Sequence, residues 1–204
     1  MTEAPLGTGR SIGAAGPVRA FGAASAAALV LGALVSAPLV LAPAPGRAVE
    51  LGGQTWFASP PWKVVFRSYS TTVGDMGAEY YFTVVLPAAA GVGLAGLQLE
   101  QTRGVDRSFG FDAGRTRAFL GLPRREGPAI PVEGLFDENT RIFRARFPQP
   151  PQPGQTITLV LRPWRNPLQS DTYMFAVQAI PAGVNPVPSA LGFATMPIYE
   201  VFSR

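Results

Sequence analysis

The stretch Gly154 to Gly183 decides the fold class, and it reads GQTITLVLRPWRNPLQSDTYMFAVQAIPAG. Apolar residues alternate with others from 157 to 161 and again from 173 to 179. A repeat of two residues is typical of a half-buried β-strand. Between the two predicted strands lies a polar corner, Arg162-Pro163-Trp164-Arg165-Asn166-Pro167, in which the prolines interrupt strand pairing.

The same alternation predicts further short strands. They cover residues 54–57, 62–69, 79–86, 97–101, 115–119, 132–136, 140–147 and 192–201. Residues 79–86 are apolar or aromatic on both faces, which favours a central strand, and Pro197 confines the last strand to a sheet edge. Asp137-Glu138-Asn139 predicts a hairpin turn, while residues 88–96 and 122–131 are predicted loops. Eight to ten short strands without a helical period predict an all-β antiparallel β-sandwich, immunoglobulin-like or a related Greek key.

The first 48 residues differ from the rest and predict an export signal. Residues 20–46 carry no charge, and the centre, AAALVLGALVSAPLVLA, is apolar and preceded by Arg10 and Arg19. Gly46 and Ala48 suit the small-residue positions of a cleavage site after Ala48. The alternative is an uncleaved membrane anchor, which would give membrane contact through residues 20–46. The expected division is therefore 1–48, a signal peptide or membrane anchor, and 49–204, the β-sandwich domain.

Composition excludes several function classes. The 204 residues contain no Cys and no His, which removes disulfides, thiolate nucleophiles and any Ser-His-Asp triad. The only Lys is Lys63, so no phosphate-binding loop of the Gly-Lys-Ser/Thr type is present. Three of the cations that give the net charge of +4 precede residue 49, with a single acid, so the predicted domain is near charge balance. We therefore expect no nucleic-acid partner and no cofactor.

The aromatic residues of the first predicted strands have two interpretations. They are Trp56, Trp62, Tyr80, Tyr81 and Phe82. Exposed together, they would resemble a stacking platform for single-stranded nucleic acid. On alternating strand positions they fit packing in the core and between strands better, and we expect that role.

Five segments together resemble a known family. They read YYFTVVLP at 80–87, QTRGVDR at 101–107, RTRAF at 115–119, PGQTITLVLRPWRNP at 153–167 and TYMFAVQAIPAG at 172–183. In this order they are similar to a cyanobacterial exported family catalogued as a domain of unknown function, DUF 2808, over roughly residues 55–200. The resemblance implies an exported protein without an assigned activity and carries over no catalytic residues. One departure is Ser170-Asp171-Thr172, where the family pattern leads us to expect a Gly.

The polar corner is the first candidate site. Arg162, Trp164, Arg165 and Asn166 are its possible ligand or partner contacts. Arginine and tryptophan together suit an anionic or sugar ligand, by bidentate hydrogen bonds and stacking. In the alternative, structural interpretation, Asn166 binds the loop backbone and Trp164 covers one end of the core.

A second candidate site is a basic patch. Arg115 and Arg117 are spaced by two, as are Arg144 and Arg146, so each pair would share a strand face. If both strands lay in one sheet, four arginines would form a patch suited to phosphate, sulfate or acidic sugar. The alternative is a solvated face whose arginines pair with acids such as Glu133.

Four acidic residues are the best acid candidates for catalysis or metal binding. They are Asp106, Asp112, Asp137 and Glu138. Two of them facing each other in a cleft would suit glycoside hydrolysis, whereas positions on exposed turns would argue against it. Asp137 to Asn139 offers oxygens to Ca²⁺ but lacks the spacing of an EF-hand loop. We expect no catalytic and no metal-binding residue among them.

The sequence thus predicts a non-enzymatic exported binding or structural module. Its expected location is the periplasm, the cell envelope or the thylakoid lumen. Its partner would be another envelope or thylakoid protein or an anionic glycan. The alternatives are a membrane-anchored subunit or assembly partner of a larger complex, and a carboxylate-dependent hydrolase acting on carbohydrate.

Overall fold

The computed structural model describes residues 49–200, and the segment predicted to be a signal or anchor lies outside them. Twelve strands and two 3-10 turns follow one another along this part of the chain. The strands are β1 Val49–Leu51, β2 Gln54–Trp56, β3 Val64–Ser68, β4 Tyr80–Val85, β5 Leu94–Arg103, β6 Arg117–Leu122, β7 Arg125–Ile130, β8 Glu133–Asp137, β9 Ile142–Arg146, β10 Thr156–Leu161, β11 Asp171–Pro181 and β12 Ser189–Ile198. The 3-10 turns are Ala88–Ala90 and Ala113–Arg115.

The strands form two five-stranded antiparallel sheets, in the orders β3-β4-β10-β6-β7 and β12-β11-β5-β9-β8, while β1 and β2 pair as a separate hairpin. The first is called the front sheet below and the second the back sheet. Their inner faces enclose one core whose fully buried side chains include Tyr80, Phe82, Leu97, Leu159 and Tyr173. This is the predicted all-β antiparallel sandwich.

The stretch 154–183 joins the two sheets. Its first strand, β10, lies at the centre of the front sheet, and its second, β11, lies in the back sheet between β12 and β5. The polar corner therefore carries the chain across one end of the sandwich. Near the start of β11 the Tyr173 hydroxyl donates to the carbonyl of Gln169 at 2.9 Å, which is the tyrosine corner of immunoglobulin-like domains.

An aromatic pair connects the sheets where antibody domains place a disulfide. Phe175 follows Tyr173 by two residues, the spacing of the second disulfide cysteine in those domains. Its ring packs edge-on against Phe82 of β4, with 6.3 Å between ring centroids. Because the chain has no cysteine, the sheets are held together here by buried aromatic surface instead.

Several sequence predictions are confirmed. Strand β4 is central, since it pairs with both β3 and β10. Strands β8 and β9 form the predicted hairpin across Asp137 to Asn139. Strand β12 is an edge strand and contains Pro197.

Other predictions are wrong. Residues 122–131 are not a loop, because β7 occupies Arg125–Ile130. It pairs on one side only and is exposed along almost its whole length, so it lacks the apolar alternation of a half-buried strand. The predicted strand 115–119 begins at Arg117, because Arg115 ends a 3-10 turn.

The aromatic prediction holds in part. Tyr80 and Phe82 are in the core, and Tyr81 is buried on the outer face of the front sheet. Trp56 and Trp62 are exposed; Trp62 precedes β3 and stacks only with the ammonium of Lys63, at 4.2 Å. No helix within residues 49–200 has the length and apolarity to cross a membrane.

Candidate functional site

A short bridge between two loops brings the corner and the region of Arg115 together. The Asp112 amide donates to the carbonyl of Arg162 at 2.8 Å, and the Trp164 amide donates to the carbonyl of Gly110 at 3.0 Å. Phe111 and Pro163 are paired between these two bonds. The 3-10 turn that ends at Arg115 directly follows Asp112, so the Arg115 side chain is held beside the corner.

The resulting space is called the corner cleft. It measures about 360 Å³ and is lined by Met76 to Ala78, Asp112, Arg115 and Arg162 to Trp164. A third loop closes it, because the Asn166 amide donates to the carbonyl of Asp75 at 2.7 Å and the Gly74 amide donates to that of Pro167 at 3.0 Å. The cleft has the size of a small-molecule site, roughly 300–1,000 Å³.

Trp164 does not cover the core, which corrects the structural interpretation of this residue. Its side chain is 61 % exposed at the wall of the corner cleft. The flanking prolines and the bond from its amide to Gly110 fix the backbone, while the indole remains open to solvent. Such an indole is available for stacking against a sugar ring or a cation.

Asn166 has the structural role that the sequence left open, and it is not in the cleft. It is fully buried. Its side-chain oxygen accepts the Tyr80 hydroxyl at 2.6 Å, and its side-chain nitrogen donates to the carbonyl of Thr72 at 2.8 Å. A buried amide with these partners locks the corner to the loop after β3. Arg165 is exposed but does not line the cleft.

Arg162 forms the back of the cleft and is paired to Glu79. Its Nε donates to Glu79 Oε1 at 2.7 Å, and the same carboxylate also contacts Arg117 at 3.6 Å. Burial raises the pKa of Glu79, but hydrogen bonds from Tyr81 and Arg162 and the charges of Arg162 and Arg117 outweigh it, so the pKa falls below its ordinary value. Glu79 is therefore ionised, and its ion pair with Arg162 holds that side chain in place.

Arg115 is the open cation of the cleft. Its side chain is exposed, and among residues 49–200 no carboxylate lies within ion-pair distance of it. Asp112 lies on the same wall and is half-buried. The cleft thus offers a free guanidinium, a carboxylate acceptor and an exposed indole. An acidic sugar has a complement for each of them: a carboxylate, hydroxyls and a ring face.

The four-arginine patch is not formed. Arg117 and the pair Arg144 and Arg146 lie in different sheets, since β6 belongs to the front sheet and β9 to the back sheet. Arg117 does not line the cleft and pairs with Glu126 at 2.9 Å. Arg146 pairs with Glu133 at 2.9 Å on an exposed surface, as the alternative interpretation expected.

The acidic residues do not form a facing pair. Of the four candidates only Asp106 is buried, and its carboxylate accepts the Ser108 hydroxyl at 2.6 Å and the Leu168 amide at 2.9 Å. Burial raises the pKa of Asp106, and these hydrogen bonds more than reverse the effect. Asp137 accepts the amides of Asn139 and Thr140 within its hairpin turn. No group of three or more acids within residues 49–200 is arranged to hold a metal ion.

Sequence reasoning missed Glu79 and the third loop of the cleft, and it named Asp112 only as a candidate for catalysis or metal binding. Glu79 carries no local motif that marks it, since it acquires its role through Arg162, which is 83 residues away in the chain. The wall at Met76 to Ala78 lies between two predicted strands, in a segment without a periodic signal. The arginine and tryptophan of the corner were the detectable part, because they interrupt a strongly alternating stretch.

Comparison with known proteins identifies a family. The family described as protein of unknown function (DUF2808) matches residues 54–198. No curated protein matches the sequence.

Solved structures are similar to this chain only at low sequence identity. The collagen-binding domain of a Staphylococcus aureus adhesin is 10% identical, with a TM-score of 0.36, over 65% of this chain and 99% of that one. The collagen-binding subdomain of the Enterococcus faecalis surface protein ACE is 8% identical, with a TM-score of 0.36, over 69% and 97%. A DUF4466 family protein of Parabacteroides merdae is 14% identical, with a TM-score of 0.39, over 66% and 43%.

Proposed function

The chain belongs to the DUF2808 family of proteins of unknown function, and we propose that it is an exported, non-enzymatic binding module that recognises an acidic glycan at the corner cleft. The observation that carries this proposal is the joint placement of Arg115, Asp112 and the exposed Trp164 around one cleft of about 360 Å³. The site of action is the cell envelope, the periplasm or the thylakoid lumen, to which the signal-like residues 1–48 would direct the chain.

Each group in the cleft has a defined part in recognition. Arg115 pairs with a uronate carboxylate, Asp112 accepts hydroxyl hydrogen bonds, and Trp164 stacks on the apolar face of a sugar ring. Arg162 contributes positive potential but keeps its bond to Glu79. An acidic segment of an envelope or thylakoid protein would pair with Arg115, but an acidic sugar also brings a ring face for Trp164 and hydroxyl donors for Asp112, and for this reason we favour the glycan.

Catalysis is not part of the proposal. Glycoside hydrolysis needs two carboxyl groups roughly 5–10 Å apart on either side of the bond that is cleaved. The corner cleft is lined by one carboxylate, Asp112, while Glu79 behind it is held by Arg162 and Arg117. The cleft is therefore suited to hold a glycan and not to cut it.

The test is retention of the full-length protein by immobilised polygalacturonate, with dextran as the neutral comparison. Arg115→Gln and Trp164→Ala are each expected to weaken binding about tenfold, since one charged hydrogen bond or one stacking contact is lost. Trp62→Ala and Arg125→Gln are matched controls, because both are exposed residues outside the cleft. Equal retention of all four variants and the parent would refute the proposal.

A further inference from the structure

The outer face of the front sheet carries a second concave space, on a different part of the sandwich from the corner cleft. Strand β3 forms one edge of this sheet, and β6 and β7 lie on the other side of its central strand, β10. Nevertheless, the Arg124 guanidinium lies 4.1 Å from the centre of the Tyr69 ring, which directly follows β3. The tip of the β6–β7 hairpin must therefore fold back across the outer face of the sheet.

A bulge in β6 produces this fold-back. The pairing register with β7 shifts between Phe119 and Gly121. Gly121 has a φ of +112°, and a Cβ atom there would lie 2.6 Å from the carbonyl oxygen of Arg125. Only glycine fits such a position. The hairpin tip is thus held over the sheet by backbone geometry.

The space below the tip is called the hairpin groove. It measures about 400 Å³, with Val65, Arg67 and Tyr69 on one side, residues 122–124 on the other and Thr83 at its floor. Two of the lining groups are guanidiniums, and no carboxylate lines the groove. Within residues 49–200, neither Arg67 nor Arg124 is within ion-pair distance of an acid. The groove is therefore electrostatically suited to an anion.

A chain of hydrogen bonds determines whether the Thr83 hydroxyl, at the floor of the groove, can donate a hydrogen bond to a ligand or accept one from it. The Thr158 hydroxyl donates to the carbonyl of Gly121 at 2.7 Å, because a carbonyl can only accept. Its single proton is then used, so in the 2.9 Å contact between the two threonine hydroxyls Thr83 must be the donor. Thr83 is nine-tenths or more buried and is left with lone pairs only. The floor of the groove thus accepts a hydrogen bond and cannot donate one.

We propose that the hairpin groove binds a hydroxylated anion of monosaccharide size, that is a sugar acid or a sugar phosphate. The anionic group pairs with Arg67 and Arg124, and a ligand hydroxyl donates to Thr83. The volume lies within the roughly 300–1,000 Å³ of small-molecule sites. This site is separate from the corner cleft and goes beyond the recognition proposed for it, because the two spaces share no lining residue.

The test is calorimetric titration of the full-length protein with galacturonate and with glucose 6-phosphate, which separate the two sources of the anion. Galactose lacks the anion and acetate lacks the hydroxyls, and both are expected to bind at least tenfold more weakly. Arg67→Gln and Thr83→Val are each expected to weaken binding about tenfold. Thr83→Ser keeps the hydroxyl acceptor and should bind the anions as the parent protein does. If Thr83 served only through the packing of its methyl group, Thr83→Ser would also weaken binding.

Two control variants distinguish this site from the corner cleft. Arg125→Gln removes a neighbouring exposed guanidinium that does not line the groove, and Arg115→Gln disables the cleft. Arg125→Gln should bind the monosaccharide anions as the parent protein does, and Arg115→Gln should retain the binding that Arg67→Gln weakens. The proposal is overturned if neither anion binds, or if binding is unchanged by Arg67→Gln. It is equally overturned if binding is lost in Arg115→Gln, since the anion would then occupy the cleft.

Discussion

At the scale of single residues, the corner shows how two neighbours with similar sequence signals acquire opposite roles. Asn166 is fully buried and Trp164 is 61 % exposed, although they stand two positions apart. In a strand, residues two apart share a face, but the corner is irregular and its prolines break the period. The sequence therefore identified the polar group and could not assign its members to the interior or to the cleft.

The two residues should respond very differently to substitution. Asn166→Ala removes the acceptor of the Tyr80 hydroxyl and a donor to the loop after β3, and is expected to lower the free energy of unfolding by about 3 kcal/mol. Trp164→Ala should change it by less than about 0.5 kcal/mol, as for other exposed positions. Urea unfolding of both variants measures this. If Trp164→Ala failed to fold, Trp164 would instead pack over one end of the hydrophobic core and stabilise it.

At the scale of elements, the alternation of apolar and polar residues was sufficient to locate a strand wherever one of its faces is buried. It located the β8–β9 hairpin, whose inward residues are apolar and whose turn residues are polar. Strand β4 was identified as central by a different signal, since both of its faces are apolar or aromatic. Alternation failed for β7, which is exposed on almost all positions and includes Pro128, so burial imposes no pattern on it. The bulge that places this hairpin over the front sheet depends on one glycine φ angle, which no periodicity reveals.

Contact between the sheets rests on buried aromatic rings, and this gives a prediction for the sandwich. Phe82→Ala removes the ring that packs on Phe175 and is expected to cost about 4 kcal/mol of stability, within the range for buried Phe to Ala changes. Phe193→Ala on β12 is the matched control, because that ring is 58 % exposed. Chemical denaturation compares the two variants. Similar costs would mean that the Phe82–Phe175 pair does not hold the sheets together.

At the scale of the whole domain, a loss of stability in acid follows from carboxyl pKa values that are depressed in the folded state, those of Glu79 and Asp106 among them. Glu79 and Asp106 have folded-state pKa values below their ordinary values of 4.5 and 3.8. The unfolded chain therefore takes up protons first, so their contribution is complete above the ordinary values and is lost as the pH falls through the folded ones. The Tm should fall as the pH drops from about 5 to about 3.

Substitution of Glu79 tests this linkage. In Glu79→Gln the fall of Tm with decreasing pH should be smaller than in the parent protein, because one of the carboxyl groups with a depressed pKa is gone. Glu133→Gln, which removes an exposed ion pair with Arg146, should leave the profile close to that of the parent. A Glu79→Gln profile that is identical to the parent's would show that this carboxylate does not stabilise the fold.

The corner cleft and the start of the described residues lie at opposite ends of the sandwich. The corner cleft lies at the start of β11, whereas β2 lies at the opposite end, where Thr55 is paired with Pro186 in the loop after β11. Strand β11 has 11 residues, so these ends are roughly 35 Å apart. The described residues therefore begin at the end of the sandwich away from the cleft.

Cell fractionation with N-terminal sequencing examines the proposed export. The expected product is a protein outside the cytoplasm that begins at Val49, after cleavage behind Ala48. Retention in a carbonate-washed membrane with residues 1–48 present would support the anchored alternative. A full-length chain in the cytoplasm would contradict both forms of the proposal.

The most direct test of the account uses Trp164 as its own probe. The chain has three tryptophans, and Trp56→Phe combined with Trp62→Phe leaves Trp164 as the only indole emitter. Titration with polygalacturonate should quench its emission and shift it to shorter wavelength, because the exposed indole becomes covered by a sugar ring, while dextran should have no effect. Adding Arg115→Gln should move the midpoint about tenfold higher. Unchanged Trp164 emission at polygalacturonate concentrations at which the protein is bound would contradict recognition at the corner cleft.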